Sequence, residues 1–121
     1  MSDINYSVTL RVAKGNLDNV VNKAATATMN EVGMLTQTLT LTTNAVSIST
    51  VNLSSVGLAY LQNLGTATAS TVTVGVLSGG SFVGFCTLKA GEPALLRLTP
   101  GATYQATGNA GTRVRIDITE G

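Results

Sequence analysis

Alternation of apolar and polar residues at every second position is the feature that most constrains the fold of this chain. Between residues 4 and 12, every even-numbered residue is apolar and every odd-numbered one is polar. Similar alternation recurs at residues 35–41, 46–50, 72–76 and 114–118. Successive side chains of a strand point to opposite faces, so this period gives each segment one buried and one solvated face. The pattern therefore predicts several half-buried β-strands.

Other segments complete the predicted strand set. Residues 56–61 form a continuous apolar run, which is typical of a strand buried on both faces. A glycine turn at residues 78–80 joins one alternating segment to a return strand at residues 82–88. Pro100 and Gly101 match the central positions of a type II turn.

The spacing of these segments predicts the fold class. About nine strands follow one another at intervals of about 8–12 residues, with turn residues between them. Residues 35–41 and 46–50 are expected to form a hairpin through a turn at Thr43 and Asn44. We expect an all-β protein, a single antiparallel β-sandwich that is jelly-roll-like.

Residues 16–24 depart from the strand pattern. Leu17, Val20, Val21 and Ala24 follow helical spacing, and Asn16 before them is a residue type that caps helices. Two interpretations stay open, namely one short helix near residues 16–24 and an irregular strand edge.

The domain organisation is expected to be simple. The chain has 121 residues, which suits one domain spanning residues 1–121, and it has no internal repeat or linker. Chain termini are mobile unless other contacts hold them, so residues 1–5 are predicted to form a flexible N-terminal arm.

Charge and hydropathy exclude two classes of partner. Charged residues make up 11% of the chain, against about 25% in typical domains. The net charge of +1 is far below that of proteins that bind nucleic acid by neutralising phosphates. No basic N-terminal region precedes an apolar segment, and no apolar run approaches roughly 18 residues. We therefore expect no nucleic acid, no membrane, no signal peptide and folding in a cytoplasm.

The residue types required for most catalysis are missing. The chain has no His and one Cys, which removes Ser–His and Cys–His catalysis, zinc sites and intrachain disulfides. Its six carboxylates show no paired spacing, and no Gly-rich phosphate loop is present. We expect no enzyme, no catalytic residue, no cofactor and no metal. Asp3, Asp117 and Glu120 would make a calcium site only if the termini meet. Cys86, in an apolar run, is expected to be a small buried hydrophobe.

A long stretch without charge points to a covered surface. No charged residue lies between Glu31 and Lys89. Monomeric proteins usually protect exposed strand edges with charges, and interface cores are depleted of them. Either a partner covers these strands, or they are central strands with threonine-rich solvent faces. Arg113 and Arg115 share one predicted strand face, where they would bind an acidic partner or form a solvated edge with Asp117.

The C-terminal half resembles small structural proteins of tailed bacteriophages. A Gly-x-x-x-x-x-Asn-Leu strand precedes a Leu-x-Ala-Gly-Glu turn, and the chain stops shortly after its last strand. The resemblance covers roughly residues 55–121, and these segments show it: residues 57–64, 82–85, 88–98 and 113–121.

The resemblance implies a virion component without an active site. Such proteins commonly serve as capsid decoration, or cement, proteins that bridge major capsid subunits on the outer capsid surface as dimers or trimers, after assembly in the host cytoplasm. A tail, baseplate or head-fibre component is the alternative, as is a stand-alone ligand-binding β-sandwich. The residues expected at the interface are Ser2, Asp3, Ile4, Asn5, Tyr6, Arg113 and Arg115.

Overall fold

Every regular element in the described part of the chain is a β-strand. The computed structural model describes residues 3–29, 31–51 and 53–121. Its strands are β1 (Ile4–Lys14), β2 (Leu17–Ala27), β3 (Met34–Thr40), β4 (Val46–Ser47), β5 (Val56–Asn63), β6 (Thr71–Ser78), β7 (Ser81–Lys89), β8 (Pro93–Arg97), β9 (Tyr104–Gly108) and β10 (Arg113–Glu120). They belong to two compact units, Met1–Asn30 and Glu31–Gly121. We call the first unit the N-terminal hairpin and the second the jelly roll.

The N-terminal hairpin is a two-stranded antiparallel ribbon. β1 pairs with β2 along its whole length, from Ile4 opposite Ala27 to Lys14 opposite Leu17. Gly15, with φ of +57°, begins the two-residue loop. Tight hairpin loops need positive φ, which glycine adopts without steric cost.

The helical interpretation of residues 16–24 is wrong, because the segment is strand β2. Leu17 and Val21 lie on one face of the ribbon, and Val20 and Ala24 lie on the other. The helical spacing is thus divided between two strand faces. Pairing with β1 supplies the backbone hydrogen bonds, and β-branched valines suit a pleated surface.

The jelly roll consists of two four-stranded antiparallel sheets. Their strand orders are β3-β10-β5-β8 and β4-β9-β6-β7. The chain changes sheet at each connection except the one between β6 and β7, which gives the strand order of an eight-stranded jelly roll. The predicted all-β, antiparallel sandwich is confirmed. The described residues contain one more strand than the nine expected, and it is β2.

One hydrophobic core joins the two sheets. Leu61 and Ile116 point inward from one sheet, and Val72, Val74 and Ala106 point inward from the other. All five are essentially inaccessible to solvent. Burying one such aliphatic side chain contributes roughly 1.5–3 kcal/mol, so the alternating segments supply most of the driving force for joining the sheets.

One predicted hairpin is confirmed and another is wrong. β6 and β7 form the expected hairpin, with Gly79 and Gly80 at positive φ in its turn. By contrast, β3 and β4 lie in different sheets. The side chain of Gln37 bonds the backbone of Ser49 twice, as donor to its carbonyl at 2.8 Å and acceptor from its N–H at 3.1 Å. The two side-chain hydrogen bonds of Gln37 therefore connect these segments, which have no backbone ladder between them because the chain has crossed from one sheet to the other.

Asn63, at the end of β5, is a buried polar residue that joins three segments. Its Nδ2 donates to the carbonyl oxygens of Ser70, at 3.2 Å, and Leu88, at 3.1 Å. Its Oδ1 accepts from the N–H of Gly65 at 2.8 Å. Buried backbone groups without partners are costly, so this side chain stabilises the loop that follows β5.

We predict that Asn63→Ala lowers the free energy of unfolding by about 3 kcal/mol, because three backbone groups lose their partner. Asn44→Ala is the matched control, since Asn44 is exposed and its hydrogen bonds to Thr42 use backbone atoms. Its effect should stay within about 0.5 kcal/mol. Urea denaturation followed by circular dichroism measures both. Equal losses in the two variants would contradict the role of Asn63.

Candidate functional site

The predicted N-terminal contact residues belong to the hairpin ladder. Ile4, Asn5 and Tyr6 lie in β1 and pair with residues 25–27. The Asp3 N–H donates to the Ala27 carbonyl at 3.0 Å, and its carboxylate accepts from the Met29 N–H at 2.9 Å. Residues 3–5 of the predicted arm are therefore held in pairing with the returning strand. Ser2 lies outside the described residues.

The two faces of the hairpin differ in character. Even-numbered residues of β1 share a face with odd-numbered residues of β2. We call this the apolar face, and its apolar members are Ile4, Tyr6, Val8, Leu10, Val12, Leu17, Val21, Ala25 and Ala27. On the opposite, polar face, the Thr9 hydroxyl donates to Asn22 Oδ1 at 3.2 Å. Four aliphatic side chains of the apolar face are exposed, among them Leu10 at 57% and Val21 at 52%, whereas Ile4 and Val12 are half-buried.

Arg113 and Arg115 lie on a central strand, not at an edge. β10 is flanked by β3 and β5. Arg115 lies opposite Thr38 on one side and Gln62 on the other. We call this outer surface of the β3-β10-β5-β8 sheet the arginine face. Its polar and charged residues include Thr36, Thr38, Thr40, Tyr60, Gln62, Arg97, Arg113, Arg115 and Asp117, and the register places Leu58, Pro93 and Leu95 among them.

The arginine face contains an ion pair along β10. Arg115 Nε donates to Asp117 Oδ2 at 3.0 Å, with the arginine side chain 51% exposed and the aspartate 7% exposed. The other oxygen, Asp117 Oδ1, is buried and has no hydrogen-bond partner among the described residues. Arg97 and Arg113 are also exposed on this face. Three arginines to one buried carboxylate give the face a positive charge.

The carboxylates considered for calcium do not converge. Asp117 and Glu120 point to opposite faces of β10. Glu120 is buried and accepts from the N–H groups of Ser54, at 2.7 Å, and Ser55, at 3.2 Å. It holds the loop before β5, a role that its sequence position near the end of the chain did not indicate. Within residues 3–29, 31–51 and 53–121, no group of three or more metal-ligating side chains forms a site.

A shallow depression lies at one end of the jelly roll. Its volume is about 480 Å³, and it separates residues 64–70 from residues 109–113. Thr66, Ser70, Asn109 and Arg113 are among its polar lining residues. This lining suits hydrogen bonding to a small polar ligand.

Comparisons with known proteins place no constraint on the function. No protein-family model matches the chain, and a search of curated proteins finds no significant match. In the part of the chain that the structure describes, no helix is long and apolar enough to cross a bilayer. The functional argument therefore rests on the fold and on the two surfaces defined above.

Cys86 lies on β7 and is half-buried. Burial raises the pKa of its thiol, and the nearby carboxylate of Glu92 raises it further. Both effects disfavour the thiolate, which is the nucleophilic form. The folded protein therefore holds this thiol in its unreactive state at neutral pH.

We predict that iodoacetamide alkylates Cys86 several-fold more slowly in the folded protein than in the urea-unfolded chain at about pH 8. The inflection of the rate with pH should lie above the ordinary thiol value. Glu92→Gln should lower that inflection only in part, because burial is the larger cause. Mass spectrometry of quenched time points measures the rates. Indistinguishable rates in folded and unfolded protein would show that the thiol is not protected.

Proposed function

We propose that this chain is a non-enzymatic structural protein of a tailed-bacteriophage particle. It decorates the outside of the capsid and bridges neighbouring major capsid subunits, and it is assembled in the host cytoplasm. The observation that carries the proposal is the arginine face, a sheet surface on which exposed arginines outnumber carboxylates. The jelly roll occurs in viral capsid proteins, which supports the proposal by analogy of fold alone.

The composition of the arginine face suits protein–protein contact. Thr36 and Thr38 provide exposed hydroxyls that hydrogen-bond without the desolvation cost of a charge. An arginine guanidinium binds a carboxylate with two parallel hydrogen bonds, which fixes the orientation of the partner. Asp117 restrains Arg115 through the ion pair, so this side chain loses less conformational freedom on binding.

The proposed mechanism is mechanical. Each copy lies across a seam between two capsid subunits and buries surface on both of them. A specific interface of ordinary size buries about 1,200–2,000 Å² in total. Separating the capsid subunits would then require breaking these contacts as well. Repetition over a closed shell multiplies a modest contact into resistance against the pressure of packaged DNA.

Two alternatives predict different observations. A tail, baseplate or head-fibre component would use the same fold, but in few copies per particle. A stand-alone ligand-binding module is favoured by the depression of about 480 Å³ next to Arg113. That module would bind a small polar ligand saturably and would not require a particle.

Copy number separates decoration from the alternatives. We predict that intact-mass spectrometry of density-purified particles detects a 12.3 kDa species in near-stoichiometric amount relative to the major capsid protein. Repeated binding sites over the shell are the reason. A few copies per particle would favour a tail or fibre role, and complete absence from the particles would contradict the proposal.

Charge reversal on the arginine face tests the surface itself. We predict that Arg113→Glu weakens binding to heads assembled without this protein by about tenfold or more, because it repels acidic groups on the capsid. Lys89→Glu is the matched control, since Lys89 is an exposed cation on β7 of the other sheet. Cosedimentation with purified heads at several salt concentrations measures both variants. Equal weakening by the two variants would indicate a general effect of charge and not a specific surface.

A further inference from the structure

The edge strands of the jelly roll differ in how they are protected against pairing with another chain. The edges are β3 and β8 of one sheet and β4 and β7 of the other. β4 has only two residues, β7 is bulged at Phe85, and β8 begins at Pro93 and ends at Arg97. Short strands, bulges, prolines and charges are the devices that block edge-to-edge pairing. β3 has seven residues in unbroken register with β10 and contains none of these devices.

The outer side of β3 presents unpaired backbone groups. Just beyond the strand, the Leu41 N–H donates to the Thr112 carbonyl at 2.7 Å, so the odd-numbered residues of β3 face β10. In an antiparallel ladder, successive residues direct their backbone groups to opposite sides. The even-numbered residues, which include Thr36 and Thr38, therefore direct their N–H and carbonyl groups away from β10. Among the residues that the structure places, no strand or loop backbone pairs with this side of β3.

We propose that a capsid subunit adds an extended strand to the free edge of β3, beside the arginine face. The inference rests on the proposed function and names the part of the capsid partner that this chain recognises. In strand addition, main-chain hydrogen bonds hold the partner segment, and its alternate side chains give specificity. The added strand would cover an edge that lies within the uncharged stretch between Glu31 and Lys89.

The outer side chains of β3 and β10 define one half of the partner's chemistry. Thr38 and Thr40 are exposed, and Arg113 lies directly opposite Thr40. Neighbouring strands are about 4.8 Å apart, so the backbone of an added strand lies about 10 Å from that of β10. The side chains of Arg113 and of a glutamate on the added strand together span this distance above Thr40. We therefore expect acidic residues at the positions of the added strand that share the arginine face.

The core side of β3 defines the other half. Leu35 and Leu39 point to this side and are half-buried, and Leu39 packs against the core. An apolar side chain on the added strand would remove more of their surface from water, which is favourable. The partner segment is thus an extended one in which acidic and apolar residues alternate.

A second copy of this chain suits the same edge less well. Pairing β3 with β3 of another copy would join two arginine faces into one surface, where like charges repel. An acidic segment instead supplies a carboxylate to Arg113, which has no ion pair within the described residues. Charge complementarity therefore favours the acidic strand.

Proline at an outward-facing position tests strand addition. Thr38→Pro removes an outward N–H and directs the proline ring toward the added strand, while the ladder with β10 keeps its bonds. Thr87→Pro is the matched control, because Thr87 is an exposed threonine on the edge strand β7 and its N–H points away from β6. In cosedimentation with purified heads assembled without this protein, we expect Thr38→Pro to weaken binding about tenfold or more. Thr87→Pro should leave it unchanged.

Hydrogen exchange of the unaltered protein covers the case in which Thr38→Pro fails to fold. The N–H groups of Thr36 and Thr38 should exchange about tenfold or more slowly on heads than in the free protein, because they become ladder donors. Exchange at Thr87 should not change. Mass spectrometry of quenched samples, with fragmentation that resolves single residues, measures the rates.

Three results would overturn strand addition at β3. They are equal effects of the two prolines on head binding, unchanged exchange at Thr36 and Thr38 on heads, and a Thr38→Pro variant that loses only self-association. In each case weakened binding by Arg113→Glu would still support the proposed function. By contrast, an unaltered protein that does not bind heads at all would contradict the proposed function itself, so the two failures are distinguishable.

Discussion

The structure of the jelly roll depends on burying the inner faces of its two sheets against each other. β5 and β10 supply Leu61 and Ile116 from one sheet, and β6 supplies Val72 and Val74 from the other. A single sheet would leave one of these faces in water, so neither sheet is stable without its partner. Formation of the core also decides which residues are left outside. The inner surface of the β3-β10-β5-β8 sheet is buried in the core, and the arginine face is the opposite, outer surface of that sheet.

Polar side chains of the jelly roll stabilise connecting segments that hydrophobic packing in the core does not fix. Asn63 binds the loop after β5, Glu120 binds the loop before it, and Gln37 binds the segment after β4. Each of these side chains hydrogen-bonds to backbone groups of an irregular segment, where no neighbouring strand supplies a partner. Because these contacts are directional, they select one loop arrangement where hydrophobic burial alone would allow several. This restraint positions the strand ends, and hence the residues of the arginine face.

The two units differ in whether they cover the apolar faces of their own strands. The jelly roll covers its own apolar faces, whereas the hairpin exposes aliphatic side chains such as Leu10 and Val21. The threonine-rich, nearly uncharged middle of the chain contributes a polar outer surface, and the charges that it lacks are found on β8 and β10 as Arg97, Arg113 and Arg115. The proposed capsid contact would therefore use the charges of the jelly roll and not the hairpin.

The sequence by itself determined that the chain is all-β and which side of most strands is buried, because alternation is a local property. The β6–β7 hairpin was also predictable, since its turn glycines are adjacent in sequence. Pairing over long distances was decided only by the tertiary structure. Equally alternating segments compete as partners, so β3 pairs with β10 and not with β4. The roles of Asn63 and Glu120 follow from contacts with residues up to 66 positions away, which no local pattern encodes.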